Sequence, residues 1–120
     1  MTTTQLYGIT NCDTVKKARK WLSDHQLDYN FHDLKSEGVS TEQLAQWACE
    51  FGWESLLNKR GTTWRKIPDE EKEIQSQEDA ILLMKRYPSL IKRPVLLHSN
   101  DFYLGFKAES YHRIFFEKVS

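Results

Sequence analysis

The residues with the clearest chemical potential are two cysteines, Cys12 and Cys49, too few for a disulfide framework and neither part of a Cys-x-x-Cys pair. A cysteine that matters here must act as a single reactive thiol. Cys12 stands where a strand-like run hands over to a helical pattern. The first N–H groups of a helix have no partner within it, and their partial positive charge favours a thiolate, the nucleophilic form, over a thiol. Lys16 and Arg19, within the next two turns, would strengthen that effect, and the Asp13 carboxylate would oppose it. On position alone, Cys12 also fits a small buried residue that fills a turn. Cys49 is offset from the stripe of Leu44, Ala48 and Phe51, with no helix start or clustered base beside it, and reads as structural or incidental.

The remaining polar clusters carry less. Arg60 and Arg65, with Lys59 and Lys66, read as a solvated basic loop, and Arg93 as a partner for some carboxylate. His25, His32, His98 and His112 show no ligand spacing, so no metal site is expected. Trp21, Trp47, Trp53 and Trp64 read as core or lid, because large aromatics dominate burial, with Trp64 set in the basic loop.

The elements that must position these residues follow from period and punctuation. Gln5 to Ile9 reads as a strand, and a helix opens near Cys12 with Val15, Ala18 and Leu22 on its inner face. Leu27, Tyr29 and Phe31 alternate with polar residues as a second strand, which makes a βαβ unit with a parallel pair. Ser40 and Gln43 form a capping box ahead of Leu44, Trp47, Ala48 and Phe51. Another helix runs from about Ser76, facing Ala80, Leu83, Met84 and Tyr87 inward, and Pro88 ends it. Asn58 to Pro68, between them, reads as a loop with a short helical piece. Pro94 to His98 and Phe102 to Phe106 pair across a Ser99-Asn100-Asp101 turn, and a closing helix from Ala108 presents Tyr111, Ile114 and Phe115. The order βαβ, a helical insertion over about residues 38–90, then ββα is that of an α/β, thioredoxin-like fold. One domain over residues 1–120 is expected, with no repeat or linker to divide it.

Composition bounds the function class. Hydrophobic residues at 39% and charged ones at 28% are ordinary for a soluble globular protein. Lys+Arg and Asp+Glu balance at 17 each, leaving no bulk field for nucleic acid or an acidic membrane. No apolar run reaches the length of a membrane span, and the N-terminus lacks the regions of a signal peptide. A cytoplasmic protein with reduced thiols is the expectation.

The stretch Tyr7-Gly8-Ile9-Thr10-Asn11-Cys12-Asp13-Thr14-Val15-Lys16-Lys17-Ala18 strongly resembles the opening signature of the ArsC/Spx family, nearest its YffB-like branch. The resemblance continues through Asn58-Lys59-Arg60-Gly61-Thr62, Lys92-Arg93-Pro94-Val95 and Gly105-Phe106-Lys107, and so covers nearly the whole chain. It implies a thioredoxin-like fold with a helical insertion. In the glutathione- and glutaredoxin-dependent arsenate reductases of that family, a cysteine attacks arsenate, three arginines hold the oxyanion, and glutathione resolves the adduct. Residue by residue, Cys12 matches the nucleophile, Arg60 and Arg93 match two of the arginines, and Lys107 occupies the place of the third. Asn11, Lys16 and Pro94 are the supporting residues, and the resemblance makes Arg93-Pro94 a candidate cis peptide, where spacing alone would favour trans.

Two departures shape the expected activity. Gly8 stands where arsenate reductases carry a histidine, and Lys107 keeps a charge but not the planar fork of a guanidinium. The resemblance with these departures points to a glutathione-dependent thiol–disulfide oxidoreductase. Glutathione would be the co-substrate, glutaredoxin a possible partner, and a small oxyanion or a thiol mixed disulfide the substrate. No metal, nucleic acid or membrane is expected, and the expected state is a monomer. Arsenate reduction is the alternative enzyme. A Spx-like regulator that binds RNA polymerase is the alternative of another class, although Val15 removes the second thiol its redox switch uses.

Overall fold

The computed structural model describes residues 3–117. The chain forms two compact units, one from the residues up to His32 together with those from Arg93 on, the other from Asp33–Lys92.

The first unit is built on a four-stranded mixed sheet. Strand β1 (Thr4–Gly8) buries alternate residues, with Thr4, Leu6 and Gly8 on the covered face. A turn closed by the Cys12 N–H to the Ile9 carbonyl (3.1 Å) leads into helix α1 (Asp13–Asp24), whose inner face is Val15, Ala18 and Leu22 as the period predicts. Strand β2 (Asn30–Asp33) starts later than the alternation suggested. Leu27 and Tyr29 precede it, yet both pack against the core, because an extended approach to a strand alternates as a strand does. After the second unit come β3 (Val95–His98) and β4 (Asp101–Leu104). The order is β2-β1-β3-β4, with Leu6 opposite Leu96 in the antiparallel β1–β3 pair and Leu96 opposite Tyr103 in the antiparallel β3–β4 pair.

The β3–β4 turn is tighter than expected. Asp101 pairs with His98, so only Ser99 and Asn100 make the turn, with φ of 50° and 73°. Two successive positive φ values match the right-handed twist of a hairpin. Strand β4 stops at Leu104 because Gly105 turns the chain with φ of 83°. Helix α6 (Ala108–His112) buries Tyr111 and continues as a π-helical turn over Arg113–Glu117. Leu6, Ala18, Leu22, Leu96 and Tyr111 form the core, flanked by Trp21, Phe106, Ile114 and Phe115. Sheet order, strand directions and the helix after β1 together make this a thioredoxin-like α/β fold.

The second unit is helical. In α2 (Thr41–Phe51) the predicted capping box is complete: Ser40 Oγ accepts from the Gln43 N–H at 3.1 Å, and Gln43 Oε1 accepts from the Ser40 N–H at 3.2 Å. The short α3 (Trp53–Leu56) is absent from the sequence reading, since a single turn is too short to show a period. The Asn58–Pro68 stretch does hold a helical piece, α4 (Thr62–Lys66). Ser76 Oγ caps α5 (Gln77–Arg86) through the Asp79 N–H, and Pro88 follows its end and opens a 3₁₀ turn to Leu90. A bridge between Leu57 and Ile91, flanked by Asn58 N–H to Leu90 O (2.7 Å) and Lys92 N–H to Leu56 O (2.8 Å), closes the unit. Among the described residues, no helix is long and apolar enough to cross a membrane.

Candidate active site

Cys12 is the N-cap of α1, in an extended conformation (φ −91°, ψ 127°), and its carbonyl accepts the first helical hydrogen bond from the Lys16 N–H at 2.9 Å. Its thiol makes no full capping hydrogen bond of the kind a serine oxygen makes, but the first-turn N–H groups of Thr14 and Val15 still favour its ionised form. Partial burial pushes the thiol up, but it is outweighed by the Val15 N–H, by the Arg93 guanidinium through both hydrogen bond and charge, and by the Thr14 N–H. The net result is a thiol held below the ordinary cysteine range.

Three of the expected site residues come together. Cys12 and Arg93 are in hydrogen-bonding reach, and Pro94 follows Arg93 through a cis peptide bond, as the resemblance implies. Pro94 is buried, and its carbonyl accepts from the Gly105 N–H at 2.8 Å, which fixes the start of the segment that carries Lys107. Lys107 is the exposed N-cap of α6 and is not among the groups that act on the thiol.

Arg60 lies in the second unit, exposed, with its N–H bonded to Asn58 Oδ1 at 3.0 Å and its carbonyl accepting from Arg65 Nη2 at 3.4 Å. Asn11 is exposed in the turn before Cys12. The Trp64 ring has Lys59 Nζ at 5.4 Å and Lys72 Nζ at 5.2 Å from its centroid, so it organises the basic loop of the second unit by cation–π contact.

Two expectations about the thiol's neighbours are corrected. Arg19 does not support Cys12: its Nε donates to Tyr29 Oη at 3.0 Å and its guanidinium lies 4.1 Å from the centre of the Phe31 ring. Its place in the second turn aims it at the approach to β2 rather than at the helix start. Lys16 is exposed and is likewise not among the groups that act on the sulfur. Arg93, far along the chain, takes the place assigned to both. The N–H groups of Thr14 and Val15 act on the thiol as the helix-start position predicts.

Gly8 and Val15 meet closely behind the thiol. A methyl group on Gly8 would sit 2.7 Å from Val15 Cγ2 and 3.0 Å from Cγ1, and Val15 itself is wholly buried. A β-carbon at position 8 would therefore crowd Val15. Among the described residues no group of three histidine, cysteine or acidic side chains could hold a metal ion.

The chain is similar to known proteins. The ArsC family profile matches residues 7–114. An uncharacterised protein of Haemophilus influenzae is 41% identical over 92% of this chain and 96% of its own length. The global transcriptional regulator Spx 2 of Lactococcus lactis is 26% identical, over 87% of this chain and 80% of its own. Among solved structures, a YffB protein superposes with a TM-score of 0.86 at 47% identity, covering 91% of this chain and 96% of that one. An arsenate reductase-related protein of Brucella melitensis gives 0.74 at 45% identity, covering 97% and 96%. With its profile matched across nearly the whole chain, the protein belongs to the ArsC family.

Proposed function

We propose that the protein is a glutathione-dependent thiol–disulfide oxidoreductase of a reducing compartment such as the cytoplasm, with Cys12 as its nucleophile. The observation that carries this reading is the thiol itself, lowered by the α1 N–H groups and by Arg93. In the first step the Cys12 thiolate attacks the glutathione sulfur of a glutathionylated substrate. The substrate sulfur leaves as a thiolate and takes a proton from water, and Cys12 becomes joined to glutathione. Val15 occupies the position where a second cysteine would resolve this adduct, so an external thiol must do so. A second glutathione, as thiolate, attacks the glutathione sulfur of the adduct, releasing glutathione disulfide and restoring the Cys12 thiolate. Arg93 helps twice, because a stabilised thiolate is both more abundant and a better leaving group. Lys107 is proposed to bind a carboxylate of glutathione.

Gly8 supports this reading over arsenate reduction, since it stands where the resemblance puts a histidine and a β-carbon there would crowd Val15. The test is turnover of a glutathionylated peptide with glutathione, coupled to NADPH oxidation through glutathione reductase. Cys12→Ser should lose the activity; full activity in that variant, or a wild-type Cys12 that titrates like free cysteine, sinks the proposal. The 26% identity to Spx favours a second reading, a regulator that binds RNA polymerase. Retention of polymerase subunits from extract by the wild-type chain, with no turnover, would select it.

A further inference from the structure

We propose that Gly8 is a positioning residue for the nucleophile: lacking a Cβ, it lets Val15 close against β1, and this seats the first turn of α1 under the Cys12 sulfur. The inference rests on the reading of Cys12 as the reactive thiol and adds what holds its environment in place.

The geometry leaves little freedom. Two of the three staggered positions on Val15 Cβ are filled by methyl carbons, and these lie 2.7 and 3.0 Å from the place of a Gly8 methyl. A valine in any staggered rotamer fills two of the three positions, so every rotamer leaves at least one of these two occupied. Rotation relieves at most the closer of the two contacts, and the side chain is wholly buried, so the remaining crowding must be met by a shift of the surrounding atoms. A side chain at position 8 therefore forces Val15 and β1 apart, and the first turn of α1 shifts relative to the strand. Val15 is the third helical residue after the Cys12 cap, and its N–H is one of the two backbone donors that favour the thiolate. Displacing that backbone weakens the favourable action of its N–H on the sulfur. The identity of residue 8 thus reaches the nucleophile through packing, without touching it.

The argument predicts a compensating pair. Gly8→Ala should raise the Cys12 pKa by about one unit, which reads as a roughly tenfold loss of thiolate well below the pKa. Val15→Ala removes both methyl carbons while keeping the backbone, so Gly8→Ala/Val15→Ala should return the pKa to the wild-type value. It should do so although the double variant, with a truncated core residue, is less stable than wild type. The experiment follows thiolate absorbance near 240 nm against pH in the four proteins, each with Cys49 replaced by serine and its fold checked by circular dichroism. A Gly8→Ala protein that folds with unchanged pKa, or a double variant whose pKa stays raised, overturns the inference. Should Gly8→Ala fail to fold, the double variant decides: it must fold and keep the low value, and if it does not the inference falls. A wild-type thiol already at the ordinary cysteine value would instead overturn the reading of Cys12 beneath it.

Discussion

Arg93 and Cys12 are distant in sequence and adjacent in space, and their pairing sets the chemistry of the thiol. A guanidinium both donates to the sulfur and carries a fixed charge, so its removal costs the thiolate twice. Arg93→Gln should raise the Cys12 pKa by about 1–2 units, measured by the pH dependence of alkylation with iodoacetamide. The sign also fixes a stability trend. A thiol whose folded pKa is depressed stabilises the fold fully above its unfolded value, near 8.5, and loses that contribution as pH falls through the folded value. Wild type and Cys12→Ser should therefore differ in the pH slope of their urea midpoints only within that window. Tyr111 is the second residue with a clear consequence. Its ring packs edge-on to Trp21 (5.6 Å) and Phe106 (4.7 Å), but its buried hydroxyl has no hydrogen-bond partner among the described residues, and burial pushes the phenol well up. Tyr111→Phe keeps the ring contacts and removes the desolvated oxygen, so the urea midpoint should rise, by about 1 kcal/mol of stability. A fall of that size would mean that the hydroxyl is bonded after all. Cys12 was legible at this scale because a helix start is a local signal. Arg93 was legible as a site residue through the resemblance, and Tyr111 as a core residue through its period. The action of Arg93 on the sulfur and the unpartnered Tyr111 hydroxyl were not, because what each touches is decided by the tertiary packing.

Elements were legible wherever capping or period is local. Ser40–Gln43 and Ser76 announced α2 and α5, and the Val15, Ala18 and Leu22 stripe announced α1. Errors clustered at strand ends. The alternation of Leu27, Tyr29 and Phe31 continues through residues that pack without pairing, and Asp101 looks like a turn residue yet pairs with His98. The β3–β4 hairpin shows what the sequence tolerates there: Ser99 and Asn100 both adopt positive φ, a conformation that suits asparagine moderately and serine poorly. Ser99→Asn/Asn100→Gly places at each position the residue such a turn favours. The double change should stabilise the protein by up to about 1 kcal/mol, with glycine's greater freedom in the unfolded chain offsetting part of the gain. Chemical denaturation reads the result: an increased midpoint at unchanged slope is expected, and a lowered midpoint would mean that these side chains make contacts the turn geometry does not reveal.

At the scale of the whole molecule, chain connectivity bears on whether the two compact units unfold together. The first unit is assembled from sequence-distant halves, and its central pair, Leu6 opposite Leu96, spans the whole of the second unit. This arrangement was legible only as an order of elements, since the period of α2 and α5 says nothing of where their cores divide. Its consequence follows from chain entropy. Were Asp33–Lys92 to unfold alone, β1 and β3 would have to hold the ends of a long disordered loop together. Closing a loop of that length costs about 3–4 kcal/mol, a large share of the 5–15 kcal/mol by which domains are stable. A first unit left to bear that cost should unfold with the second, so one cooperative transition is proposed for the chain. Trp21 lies in the first unit and Trp47, 1% exposed, in the core of the second, and each can be kept as a single reporter by replacing the other tryptophans with phenylalanine. The two fluorescence transitions in urea should coincide, and calorimetric and van't Hoff enthalpies should agree. If the Trp47 signal is lost at lower urea than that of Trp21, the closure cost is too small to couple the units. Local stability at the Cys12 end would then be set by the sheet alone.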